Sequence, residues 1–94
     1  MRKYEAMFIF TPELEEEKRN SVFDKMKGII ESNGSIEDID EWGMRKLAYE
    51  INDYKEGYYI VVNFESEKEV IDEMERVSRI TDEIIRHMVI KDEQ

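Results

Sequence analysis

The hydrophobic period of this chain alternates along its 94 residues between two, the repeat of a β-strand, and 3.6, the repeat of an α-helix. Few architectures satisfy that alternation in so short a length. Tyr4, Ala6, Phe8 and Phe10 fall on one side of a first segment and Glu5, Met7 and Ile9 on the other, which predicts a strand. Thr11 followed by Pro12 has the form of a helix N-cap with proline at the first helical position, and Glu13, Glu15, Glu16 and Glu17 put carboxylates at the positive end of the helix dipole. The predicted helix carries an apolar stripe of Leu14, Val22, Phe23, Met26, Ile29 and Ile30. A gap in that stripe would be covered by the stem of Lys18, and Asn33-Gly34 supplies a left-handed stop.

Ser35 to Ile51 is strand-like again, but its spacing changes midway: Ile36, Ile39 and Trp42 lie three apart, Arg45, Leu47, Tyr49 and Ile51 two apart. A bulge near Gly43 reconciles the two registers. Asn52 to Gly57 is turn chemistry, which predicts a hairpin with a longer loop leading into a strand from Tyr58 to Phe64. Ser66 and Glu69 form an S-x-x-E capping box, after which Val70, Ile71, Met74, Val77 and Ser78 keep helical spacing. Polar residues Arg79 to Glu83 turn the chain into a last strand, Ile84 to Ile90.

The order β-α-β-β-α-β predicts an α+β fold, one domain over residues 1–94, of the ferredoxin-like kind: a four-stranded antiparallel sheet with two helices on one face. The other face is left open. By parity it carries Glu5, Met7, Ile9, Tyr59, Val61 and Asn63, with Arg86, Met88 and Ile90 in one of two registers of the last strand. Such a face is too apolar to be left wholly wet, which predicts a partner surface.

Little in the chain can carry out catalysis. Cysteine is absent, which excludes disulfides, thiolate metal sites and a cysteine nucleophile and fits a reducing cytoplasm. The basic start and short apolar stretch are interrupted by Glu5 and followed by Thr11-Pro12-Glu13, so they read as a mature strand and not a signal sequence. No apolar run approaches the ~20 residues that span a bilayer. His87, the one histidine, is expected to pack or to make a surface contact, having no nucleophile or orienting partner. The acidic runs Glu15-Glu16-Glu17 and Glu37-Asp38-Ile39-Asp40-Glu41 lack the glycine turn and ligand spacing of a calcium loop, so no metal is expected. Glycines 28, 34, 43 and 57 match no phosphate-loop spacing. Phe10-Thr11-Pro12-Glu13 would repel phosphate where an acylphosphatase-like cradle belongs. Lys55 to Phe64 echoes the third-strand signature of an RNA-recognition motif only loosely, with Glu56 where a cation should precede the glycine. No enzyme, cofactor or small-molecule substrate is expected.

The formal net charge is −10, yet cations recur at strand positions. Arg2 and Lys3 open the first strand, Arg45 and Lys46 lie in the second, and Arg86 and Lys91 flank the last. Charges are screened over ~8 Å at physiological salt, so a local basic rim can meet phosphates on an acidic protein. A chain of this overall sign is expected to hold RNA weakly alone and to want a basic partner.

Tyr4-Glu5, Trp42-Gly43-Met44-Arg45-Lys46-Leu47-Ala48-Tyr49 with Ile51, Gly57-Tyr58-Tyr59 through Phe64, and Asp82-Glu83-Ile84-Ile85-Arg86 closely resemble the bacterial small-subunit ribosomal protein six family, from Arg2 to Lys91. The resemblance implies a non-catalytic protein of the cytoplasmic ribosome that pairs with small-subunit ribosomal protein eighteen and, as that heterodimer, binds the central domain of 16S ribosomal RNA. Carried onto this sequence, it makes Arg45 the foremost RNA or partner contact, because a guanidinium forks phosphate well. Arg2, Lys3, Lys46, Arg86 and Lys91 follow as phosphate contacts. Trp42 and Tyr49 are left with two roles, packing on the partner or in the core. Two departures stand out: Glu50 replaces the proline common between the tyrosine and isoleucine of the motif, and the chain stops at Asp92-Glu93-Gln94 without the long acidic tail of some relatives. The alternative reading is an ACT-like regulatory module, a homodimer that binds a small ligand between subunits.

Overall fold

A computed structural model describes residues 1–91, and the acidic end at 92–94 lies outside the described residues. The elements are β1 (Arg2–Phe10), α1 (Glu16–Ser32), β2 (Gly34–Ile51), β3 (Tyr54–Ser66), α2 (Lys68–Arg79) and β4 (Ile84–Lys91). All strand pairings are antiparallel, in one sheet ordered β2-β3-β1-β4, which is the ferredoxin-like arrangement that the period alternation predicts. One face of β1 and β3, with Ala6, Phe8, Phe10, Ile60, Val62 and Phe64, packs on Val22, Phe23, Met26 and Ile30 of α1 and on Val70 and Met74 of α2. Each large apolar side chain buried there contributes roughly 1.5–3 kcal/mol relative to exposure.

The register of β4 is resolved by Met7 opposite Met88 and Ile9 opposite Arg86. Arg86, Met88 and Ile90 therefore share the outer face with Met7 and Ile9, and His87 and Val89 turn toward the helices. In β2 the bulge expected at Gly43 is present: the register shifts between Glu41 and Gly43, and Gly43 has φ +83°, a left-handed value that glycine adopts without strain. A further shift, between Ile36 and Asp38, has no glycine to announce it.

Several local expectations need correction. The first helix begins at Glu16, with Glu15 at the N-cap position and no side-chain cap, and not at Thr11-Pro12. Thr11 directly follows β1, and its N–H donates to the Glu83 carbonyl just before β4 at 3.0 Å, so the chain must pass through a turn before it can coil. The gap in the apolar stripe is filled by Arg19 and not by Lys18, with the Arg19 guanidinium 3.6 Å from the centre of the Tyr58 ring. Asn33 ends α1 at φ −146°, so the stop is not left-handed. Gly34 is needed for space instead: a Cβ there would overlap the Glu65 carbonyl oxygen and approach Ser66 Cβ to 2.7 Å. The capping box does not form, because Ser66 is the buried last residue of β3 and its hydroxyl donates to the Glu67 carbonyl.

The loop between β2 and β3 is shorter than its composition suggests. Asn52 (φ 50°) and Asp53 (φ 69°) alone make the turn, and Ile51 faces Tyr54 across it. Gly57 lies inside β3, where a Cβ would overlap Ile9 Cγ2. Between the pairs Lys46 opposite Glu56 and Ile51 opposite Tyr54, β2 runs through residues 47–50 while β3 advances by one. The surplus chain reaches over the outer face: Leu47 is 8% exposed, and it lines a cavity of about 140 Å³ with Met7, Ile9, Tyr49, Tyr59 and Met88. This end of the face is therefore partly covered by the protein itself and not left open.

Candidate nucleic-acid interface

Because β2 is an edge strand, residues 42–46 have a neighbour on one side only. The bulge at Gly43 offsets Trp42 so that its indole runs nearly parallel to the Tyr59 ring of β3 in an offset stack, with centroids 5.9 Å apart and planes 12° from parallel. The indole N–H donates to Asp40 Oδ2 at 3.0 Å. Trp42 is 43% exposed and Tyr49 63%, so neither serves the core. Arg45 places its guanidinium over the Trp42 ring, 5.8 Å from the centroid, and its Nε–H donates to the Trp42 carbonyl at 3.4 Å.

From the far edge of the sheet, Arg86 of β4 donates to the Tyr49 hydroxyl at 2.7 Å. This bond crosses the two central strands, and it is the surplus length at 47–50 that makes the reach possible. Among the described residues, Arg45, Lys46 and Arg86 have no carboxylate within ion-pair distance, whereas Lys3 pairs with Glu37 at 3.6 Å. Free guanidinium and ammonium groups beside an exposed aromatic suit an anionic, planar ligand better than a metal or a metabolite. No group of three or more His, Asp or Glu able to hold a metal ion occurs among the described residues.

The predicted contacts do not form one site. Trp42, Arg45, Lys46, Tyr49 and Arg86 gather at the Phe10 end of β1, through the pairings of Gly57 with Arg45 and of Ile9 with Arg86. Arg2, Lys3 and Lys91 lie at the opposite end, where Arg2 faces Ser66 and Tyr4 faces Lys91. Arg2 and Ile9 are seven residue steps apart along β1, on the order of 23 Å at ~3.3 Å per residue. Glu50, the departure from the motif, is exposed on the surplus segment of β2. Sequence reasoning missed Tyr59 and Asp40 as supports of Trp42. Tyr59 is legible as an outer-face residue by parity, but only the bulge brings the indole onto it.

His87 stands on the helix side, its ring stacked on Phe8 at 5.3 Å. Its Nε2 is buried and has no hydrogen-bond partner among the described residues. Burial holds its pKa below the ordinary histidine value, and the nearby Glu75 carboxylate opposes that shift only in part.

Residues 3–91 match the family described as Ribosomal protein S6. The chain is 54% identical over 91 residues to the small ribosomal subunit protein bS6 of Alkaliphilus oremlandii, covering 97% of each chain. It is 50% identical over the full length of both chains to the bS6 protein of Clostridium perfringens strain 13. Among solved structures, the crystal structure of the 30S ribosomal protein S6 from Thermotoga maritima superposes with a TM-score of 0.91 at 40% identity, covering 97% of this chain and 87% of that one.

Proposed function

This chain belongs to the ribosomal protein S6 family, and on that premise we propose that it binds the central domain of 16S ribosomal RNA together with small-subunit ribosomal protein eighteen, in the cytoplasmic ribosome. The family consists of structural proteins of the small ribosomal subunit and not of enzymes. The observation that carries the RNA reading is Arg45, whose guanidinium is exposed on a free sheet edge, held beside Trp42 and paired with no carboxylate among the described residues.

Electrostatics explains the need for a partner. A net charge of −10 opposes approach to a polyanion, so the local cations serve only once the protein is brought close. A basic protein that bridges the two supplies that help. Arg2, Lys3 and Lys91, some 23 Å away by strand rise, would serve a second stretch of backbone or the partner. The test is to mix the purified chain with central-domain RNA, with and without protein eighteen: a complex with both components is expected, and no RNA complex in either mixture refutes the proposal. Arg45→Ala is expected to weaken RNA binding roughly tenfold to 150-fold, the loss of one charge-assisted contact, with helix content unchanged by circular dichroism. Equal affinity for the variant would remove Arg45 from the interface.

A further inference from the structure

We propose that the Trp42–Tyr59 pair is a stacking platform for one unpaired nucleobase of the bound RNA, with Arg45 closing over that base. The inference rests on the RNA-binding reading and names the kind of RNA element the site takes. The platform is built in advance. Tyr59 is half-buried in a central strand, the indole lies 12° from parallel with it, and Asp40 fixes the indole edge through the ring N–H. Little side-chain freedom remains to be lost when a flat ring lands there.

Arg45 leaves room for such a ring. In the same molecule Arg19 touches the Tyr58 ring at 3.6 Å, whereas Arg45 stands 5.8 Å from the Trp42 centroid, beyond direct contact. A base between indole and guanidinium needs two stacking intervals of ~3.4 Å each. Arg45 has to yield by at least about 1 Å, and it can do so on an exposed stem held by one long 3.4 Å hydrogen bond. Arg45 and Lys46 then lie where the flanking phosphates can reach them, while the Asp40 carboxylate repels the backbone from the N–H edge of the indole. A paired base cannot use the platform, because its faces are covered by its neighbours in the helix. Stacking of this kind tolerates any base.

Trp42 is the single tryptophan of the chain, so its fluorescence reports on this site alone. In the complex with central-domain RNA and protein eighteen, we expect emission to be quenched when RNA is added and not when protein eighteen is added by itself. At low salt, a single-stranded oligoribonucleotide should quench and the same strand in a duplex should not. Trp42→Ala should weaken RNA affinity by roughly fivefold to 150-fold, the range for one stacked base, whereas Trp42→Phe should retain most of it. A complex that forms with unchanged Trp42 emission, or equal quenching by duplex and single strand, overturns the proposal and leaves the RNA-binding reading intact. Quenching by protein eighteen alone reassigns the platform to the protein partner. Absence of any RNA complex refutes both readings.

Discussion

At the scale of single residues, burial changes what a side chain can do. His87 carries a proton readily in water, near pH 6.5, but between Phe8 and the end of α2 its neutral form is favoured. The unfolded chain therefore takes up a proton first as the solution is acidified. The stability that His87 contributes is complete above about pH 6.5 and is lost as pH falls from there through the lower value of the folded protein. Urea midpoints at pH 7.5, 6.5 and 5.5 should fall across that window in the wild type, and His87→Phe, which keeps the stack on Phe8, should remove the fall. A wild type with equal midpoints refutes this. The sequence places His87 in the last strand, yet which face it takes depends on a register that only the pairing of Met88 with Met7 settles. The choice between Lys18 and Arg19 over the core is illegible for a similar reason: the helix starts later than its N-cap signal suggests, and one residue turns the face by 100°.

At the scale of elements, the glycines separate conformation from space. Gly28 lies within α1, exposed, and among the described residues nothing comes within 4 Å of where a Cβ would stand. Gly28→Ala is expected to stabilise the protein by about 0.5–1 kcal/mol by restricting the unfolded chain, read as a higher denaturation midpoint. Gly43 also has open space around it, but its φ of +83° makes Gly43→Ala costly by about 1–2 kcal/mol. Similar effects from the two changes would refute this contrast. The bulge at Gly43 is legible because hydrophobic spacing changes from three to two on either side of it. The surplus at residues 47–50 is hidden, because Leu47, Tyr49 and Ile51 keep strand periodicity while the backbone departs from its partner. The capping box fails for the opposite reason: the pattern is present, but β3 claims Ser66 before the helix can use it.

At the scale of the whole molecule, the surplus of acidic charge acts everywhere at once. The protein measures 37 × 26 × 21 Å, comparable to the ~30 Å screening length at 10 mM salt and much larger than the ~8 Å at 150 mM. Raising sodium chloride over that interval should raise the melting temperature of the isolated chain by relieving self-repulsion, and a fall would refute the idea. Fold class is legible from alternating periods alone. The division of the basic residues into two groups is not, since it follows from which strands become neighbours. That neighbour order has a consequence for synthesis. β1 leaves the exit tunnel first, yet it lies between β3 and β4, which are made last. Once β3 has emerged, the β2–β3 hairpin can close at Asn52-Asp53 and β1 can join β3, but until residue 91 follows β1 waits with one unfilled side. The nascent chain thus carries an incomplete apolar layer through most of its own translation, and a stall before β4 would leave the side of β1 that β4 covers available to other strands.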